Sequence, residues 1–230
     1  MKGKHLGLRK RLGLKLFKGL YDKAVEQHEL RTLFWECTLR CNLACRHCGS
    51  DCRVDVEEQD MPLADFLKVL DEEVTPHVDP ARVLIIFSGG EVLVRRDLEE
   101  AGREVTKRGY KWGMVTNGMA LTRERLYSLL AAGLSSVSVS FDGFEEEHNY
   151  IRRNPQSFTR ALAALREIAQ IDRLAYDAIT CVTPAMLERL DEFKEFLIKE
   201  GIRHWRIFSI FPAGRASKDD SLHLNEEQFN

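Results

Sequence analysis

Five of the six cysteines in this 230-residue chain, Cys37, Cys41, Cys45, Cys48 and Cys52, fall within sixteen residues. Such crowding of soft sulfur donors points to metal chemistry, and spacing narrows which metal. Disulfides between such close neighbours form poorly, and a chain of this length needs no staples. Structural zinc takes four ligands, usually two close pairs well separated in sequence, whereas only Cys45 and Cys48 have C-x2-C spacing and no second pair follows. The ferredoxin runs C-x2-C-x2-C and C-x4-C-x2-C are absent. Cys41-x3-Cys45-x2-Cys48 puts three thiolates on one short loop, able to hold three irons of a [4Fe-4S] cube and leave the fourth iron open to a ligand carrying an amine and a carboxylate. On spacing alone, zinc and thiols that bind nothing remain open beside iron–sulfur.

These cysteines need a scaffold, and hydrophobic patterning supplies one. Apolar runs of strand length alternate with amphipathic stretches of helix length, the signature of βα units around a parallel sheet. Strands are expected at 32–36, 82–88, 112–116, 137–141, 178–183 and 205–211, with helices at 62–73, 97–107, 122–132, 157–169 and 186–200. Asp60 reads as the N-cap of the first of these helices, and Gly133 as the C′ residue closing the third. The 82–88 run is apolar on both faces, as suits a strand covered on both sides. The cysteine cluster follows the first strand directly. Ser88-Gly89-Gly90-Glu91, Thr116-Asn117-Gly118, 140–143 and 212–215 mark the C-terminal ends of other strands, the edge where a parallel barrel binds ligands.

The expected fold class is α/β, a partial (βα)6 TIM-type barrel with an N-terminal basic helical extension. Its divisions are a basic extension at 1–30, a barrel core at 31–216 and, at 217–230, the start of a truncated C-terminal region, because 225–228 reads as a helix just beginning. Thirty-four basic against thirty-six acidic residues give no overall pull toward nucleic acid. No run approaches the ~18 apolar residues of a membrane span. The first thirty residues break the balance, with eight Lys/Arg (Lys2 and Lys4 among them) against three acids and leucines, from Leu6 onward, spaced at mixed periods. No apolar region with a cleavage site follows, so a secretory signal is not expected. Such a helix suits an anionic membrane surface, an acidic leader peptide, or simply a solvated place on the outside of the domain.

Cys41-Asn42-Leu43-Ala44-Cys45-Arg46-His47-Cys48 resembles the CxxxCxφC signature of the radical SAM superfamily, placed after the first strand as in that family. Gly89-Gly90-Glu91 resembles its GGE motif, Thr116-Asn117-Gly118 its TNG, and 138–143 with Arg152 its Ser-x-Asp-Gly…Arg pattern. The resemblance covers about 32–216, and four motifs in order are far more specific than any one. It implies that Cys41, Cys45 and Cys48 ligate a [4Fe-4S] cluster whose open iron takes S-adenosyl-L-methionine. By the same resemblance His47 lies against the adenine, and Gly89 and Gly90 let the backbone approach the methionyl amine on a turn fixed by Glu91. Asn117, Ser140, Asp142 and Arg152 serve the ribose and carboxylate, with Arg152 preferred over Arg153 by its spacing. Thr183 and His148 sit at loops facing the pocket but suit local backbone bonding equally. Cys37 and Cys52 fall outside the motif, and Val92 stands where the family usually has proline.

Pro212-x-Gly214-Arg215-Ala216 resembles the sequence found there in the SPASM-type, peptide-modifying branch, whose cysteine-rich extension carries auxiliary clusters. No cysteine follows Cys181, so that extension is expected to be absent. The activity implied is reductive cleavage of S-adenosylmethionine to a 5′-deoxyadenosyl radical that abstracts hydrogen, chemistry that requires no side-chain base and accords with the lack of a Ser/His/Asp constellation or P-loop. Relatives of this kind most often modify ribosomal peptides or proteins, and the basic N-terminus suits an acidic leader. The alternatives are a maturase of a small cofactor or metabolite and, in another class, a non-catalytic metal-binding scaffold for peptides, which would have no use for Gly89-Gly90-Glu91 or the Ser140/Arg152 pair. An electron donor such as flavodoxin or ferredoxin and a cytoplasmic location complete the expectation.

Overall fold

A computed structural model of the chain describes residues 7–50 and 52–229. Lys2, Lys4 and Leu6 of the basic segment, and Asn230, lie outside the described residues. The chain divides into two units, Met1–Arg31 and Thr32–Asn230. The first contains helix α1 (Leu8–Gln27), ended by His28 in the left-handed conformation. Its lysines and leucines are not sorted onto opposite faces, and Lys18 pairs with Asp22 one turn on at 2.8 Å.

The second unit is a six-stranded, all-parallel sheet in the order β1-β2-β3-β4-β5-β6, with β1 (Thr32–Thr38) and β6 (Trp205–Ser209) left as edges. Between them run β2 (Leu84–Gly89), β3 (Lys111–Thr116), β4 (Leu134–Ser140) and β5 (Ala175–Val182). The crossovers are α2 (Leu63–Val69), α3 (Leu98–Lys107), α4 (Arg123–Ala131), α5 (Glu145–Arg152), α6 (Ser157–Ile168), α7 (Pro184–Leu187) and α8 (Leu190–Lys199). This is the expected partial barrel.

The core lies between the sheet and its helices. Trp35, Ile85, Phe87, Trp112, Val137 and Ala178 alternate along their strands toward this layer and are buried. Trp35 stacks on Phe66 at 3.8 Å between centroids, and Phe87 on Trp112 at 5.0 Å. The other face of the sheet is concave and open. It carries the exposed Phe34, the half-buried Ile86 and the polar trio Ser138, Asp177 and Arg206. β2 is therefore apolar on both faces but covered on one, because an unclosed barrel leaves its interior accessible.

The structure redraws several expected local features. α2 starts behind Pro62 without a side-chain cap, and Asp60 pairs with Arg40 instead. The expected 186–200 helix is two helices, broken at Arg189 where φ is −113°. Residues 145–152, read as loop, form α5, with three glutamates in its first turn and Arg152 in its last, the charge order that a helix dipole favours. Gly133 follows α4 with φ +97°, as its C′ role requires.

Candidate metal and cofactor site

All six strands end on one edge, where the loop after β1 carries the cysteines. Its neck is closed by Cys41 N–H donating to Arg53 O at 2.7 Å and Arg53 N–H to Leu39 O at 3.2 Å. It crosses directly over the glycine turn after β2: Gly90 N–H donates to Thr38 O at 2.8 Å and Glu91 N–H to Arg40 O at 2.9 Å. A Cβ at Gly89 would collide with Thr38 O, and one at Gly90 with Arg40 O. Gly89 also has φ +116°. The glycines are thus required by the approach of the cysteine loop itself.

Glu91 is fully buried and accepts from Leu93 N–H at 3.1 Å, Thr116 O–H at 2.7 Å and Asn117 N–H at 2.7 Å. Burial pushes its carboxyl up, while the three donors pull it back down. Glu91 joins the β2 turn to the β3 turn and lies off the cavity wall. Asn117, held in this way, donates from Nδ2 to Asn42 Oδ1 at 2.7 Å and stands 4.0 Å from Cys41 Sγ.

Across the cavity, Arg152 reaches in from the last turn of α5. Its Nε lies 2.7 Å and its Nη2 2.6 Å from Asp142 Oδ2, while Nη1 is 3.7 Å from Cys45 Sγ. Arg153, by contrast, is exposed at the C-cap with φ +54°. Asp142 also accepts from Cys181 N–H at 3.0 Å. Burial would push its carboxyl up, but the Arg152 guanidinium and two nearby imidazoles hold it down at about 2. Those rings are His47 and His148, driven down by burial to about 4 and about 3, so both are neutral near pH 7. His148 Nδ1 accepts from Asp142 N–H at 2.9 Å, a backbone role. Thr183 caps α7, accepting from Met186 N–H at 3.2 Å, and lines a neighbouring cavity of about 500 Å³ together with Asp142 and Tyr150.

Cys41, Cys45 and Cys48 line one cavity of about 280 Å³, and the walls opposite include Gly89, Gly90, Asn117, Ser140 and Arg152, with His47 beside the cysteines. Of the residues singled out from sequence, Glu91 and Asp142 stand behind this wall as supports. Two cysteines outside the motif part company: Cys52 lines the same cavity, whereas Cys37 points into the core and donates to Ser88 O at 3.4 Å. Sequence reasoning did not reach Cys181 or the role of Arg215, both of which also line the cavity. The motif around Arg215 was visible, but no spacing rule links it to a loop about 170 residues earlier.

The residues fit an iron–sulfur cluster with an attached ligand. Burial pushes the thiols of Cys41, to about 11, and Cys45 upward, so only a bound cation makes them thiolates near pH 7, as iron does. His47 Nδ1 is buried without a hydrogen-bond partner, which leaves a polar atom for a bound group to satisfy.

The family model described as the radical SAM superfamily matches residues 35–197. The AdoMet-dependent heme synthase of Methanosarcina barkeri is 31% identical over 193 residues, 84% of this chain and 54% of that protein. Mycofactocin maturase MftC of Mycolicibacterium smegmatis is 31% identical over 199 residues, 85% of this chain and 49% of that one. Streptococcus suis SuiB, solved with its precursor peptide SuiA, superposes with a TM-score of 0.66 at 14% identity, covering 92% of this chain and 47% of SuiB, and so shares the fold. The chain spans about half the length of the curated relatives it matches.

Proposed function

Because the chain belongs to the radical SAM superfamily, whose cofactors are a [4Fe-4S] cluster and S-adenosyl-L-methionine, we propose that it is the catalytic barrel of a radical enzyme that modifies a ribosomally made peptide or protein. The observation that carries the cofactor assignment is the meeting of Cys41, Cys45 and Cys48 with the Gly89-Gly90 turn, Asn117, Ser140 and Arg152 in one cavity at the C-terminal edge of the sheet.

When bound, the cluster and S-adenosylmethionine supply one-electron cleavage of a carbon–sulfur bond and a carbon radical able to take hydrogen from an unactivated C–H. Cys41, Cys45 and Cys48 would hold the iron, and Arg152 sets a permanent positive charge beside Cys45, favouring its thiolate. Asp142 fixes that guanidinium, and Glu91 locks the two turns that carry Gly90 and Asn117. His47, neutral and buried, offers a ring edge and an unmatched nitrogen to an adenine, while Ser140 at the end of β4 offers a hydroxyl to polar parts of the cofactor. The concave face, where Phe34 and Arg206 are exposed, Asp177 is half-buried and Ser138 is buried beneath the Asp177–Arg206 pair, is the surface on which a substrate would lie.

A peptide substrate is supported by the similarity to a mycofactocin maturase and by the fold shared with SuiB, solved with a precursor peptide. The basic N-terminal segment, 1–30, would hold an acidic leader, with 31–216 as the catalytic core and 217–230 opening a further region. A second reading, maturation of a small tetrapyrrole-like cofactor, is favoured by the equal identity to the heme synthase. Flavodoxin or ferredoxin would deliver the electron in the cytoplasm, and among the described residues no helix is long and apolar enough to cross a membrane.

The test is anaerobic reconstitution with iron and sulfide, followed by assay of 5′-deoxyadenosine with S-adenosylmethionine and dithionite. Cluster stoichiometry and product are expected in the wild type and neither in the Cys41→Ala/Cys45→Ala/Cys48→Ala variant. Colourless protein carrying zinc would overturn the proposal. Peptides with acidic leaders and propionate-bearing tetrapyrroles, compared as stimulants of product formation, decide between the two substrate classes.

A further inference from the structure

The segment after β6 turns back across the barrel edge and meets the cysteine loop. Arg215 Nε donates to Cys45 O at 2.8 Å and Nη1 to Cys52 O at 3.0 Å, while Arg215 N–H donates to Cys48 O at 2.9 Å. One residue thereby satisfies the carbonyls of three cysteines from which it is 163 or more residues distant. The approach is close. Gly214 has φ +56°, and a Cβ there would stand 2.6 Å from Gly49 O and 2.7 Å from Cys48 O. Behind the arginine, Ala216 is buried with Ile151, Ile210 and Leu222, which seats the clamp on a small apolar cluster. The same Ile151 accepts Arg46 N–H at 2.8 Å, so the cluster grips the cysteine loop a second time.

We infer that Arg215 is a positioning residue for the cluster, holding the Cys45–Cys52 stretch of the loop in its ligating shape before any iron arrives. This rests on the reading of Cys41, Cys45 and Cys48 as ligands. A planar fork of donors suits two carbonyls at once, which a lysine ammonium on a flexible stem matches less well. The ligand loop lies near the start of the barrel and its clamp after the last strand. A competent site therefore exists only once the whole sheet is assembled, and a partly folded chain would not present three converged thiols to iron.

Hydrogen exchange by mass spectrometry on the metal-free 230-residue chain reads the loop whether or not iron loads, so the result does not depend on the cluster reading. Each lost charge-assisted bond raises the open population about tenfold. In Arg215→Met, peptides spanning 41–53 are expected to exchange on the order of 10- to 100-fold faster, with β2, β3 and α6 unchanged. Arg215→Lys is expected to fall between that variant and the wild type. Iron uptake on reconstitution should drop by more than half in Arg215→Met and recover in part in Arg215→Lys. Unchanged loop exchange, or uptake equal to that of a wild type that itself loads iron, overturns the inference. So does faster exchange across the whole barrel in both variants, which would make Arg215 a residue of general stability.

Discussion

Glu91 provides the most direct test of how the site is braced. Its carboxylate is fully buried and satisfies three donors, Leu93 N–H, Thr116 O–H and Asn117 N–H. Glu91→Ala orphans all three. Glu91→Gln keeps one oxygen, and because the threonine hydroxyl can turn to accept from the amide NH2, one backbone N–H is left facing a donor. An unsatisfied buried donor costs at least about 1 kcal/mol, so the substitutions should cost at least about 3 and about 1 kcal/mol. Both variants equally remove the penalty of burying a charge, the effect that pushes this carboxyl up, so their difference is the cleaner quantity. Two donors, about 2 kcal/mol, correspond to roughly 4–8 °C in the midpoint for a chain of this size. Differential scanning calorimetry of the metal-free chain should place Glu91→Ala below Glu91→Gln by that margin, with the wild type highest. Alanine melting no lower than glutamine would refute the brace.

Three further outcomes follow from the geometry. Gly90→Ala, whose added Cβ would strike the Arg40 carbonyl, should displace the cysteine loop and reduce iron uptake severalfold while far-UV circular dichroism stays near wild type; normal uptake would show that the loop can give way. Asp142 sits at about 2, below its unfolded value of about 4, so its contribution is complete above pH 4 and is lost as pH falls toward 2. That contribution is about 2–3 kcal/mol in urea titrations across this range. Asp142→Asn should remove Asp142's component of that slope, leaving the part due to the buried His47 and His148, and, by leaving Arg152 buried and unpaired, cost about 3–5 kcal/mol at pH 7. Cys37→Ala should leave the iron content unchanged, because that thiol faces the core, whereas Cys48→Ala should lower it; colorimetric iron analysis of the two reconstituted variants separates them.

The alternation of apolar runs and amphipathic stretches was enough to place six parallel strands, because each strand needs helices to cover one face and the pattern is local. The four motifs were legible for the same reason: each is a short run at the end of one strand. α5 escaped because three consecutive glutamates and an Asn-Tyr pair have no helical apolar stripe, and its stability comes from charge order and from Ile151 docking. The apolar period at 186–200 is continuous, so it does not register the break at Arg189 that divides α7 from α8.

Sequence by itself determined the spacing of the motif cysteines, the βα order and the edge of the sheet where the motifs gather, all properties of neighbouring residues. Only the tertiary structure decided that the cysteine loop crosses over the glycine turn, which arginine enters the cavity, and that Glu91 and Asp142 stand behind the wall. It also decided that Arg215 closes the site from the far end of the barrel. Each of these depends on atoms brought within hydrogen-bond or van der Waals range by the packing of distant strands, and no local pattern carries that distance.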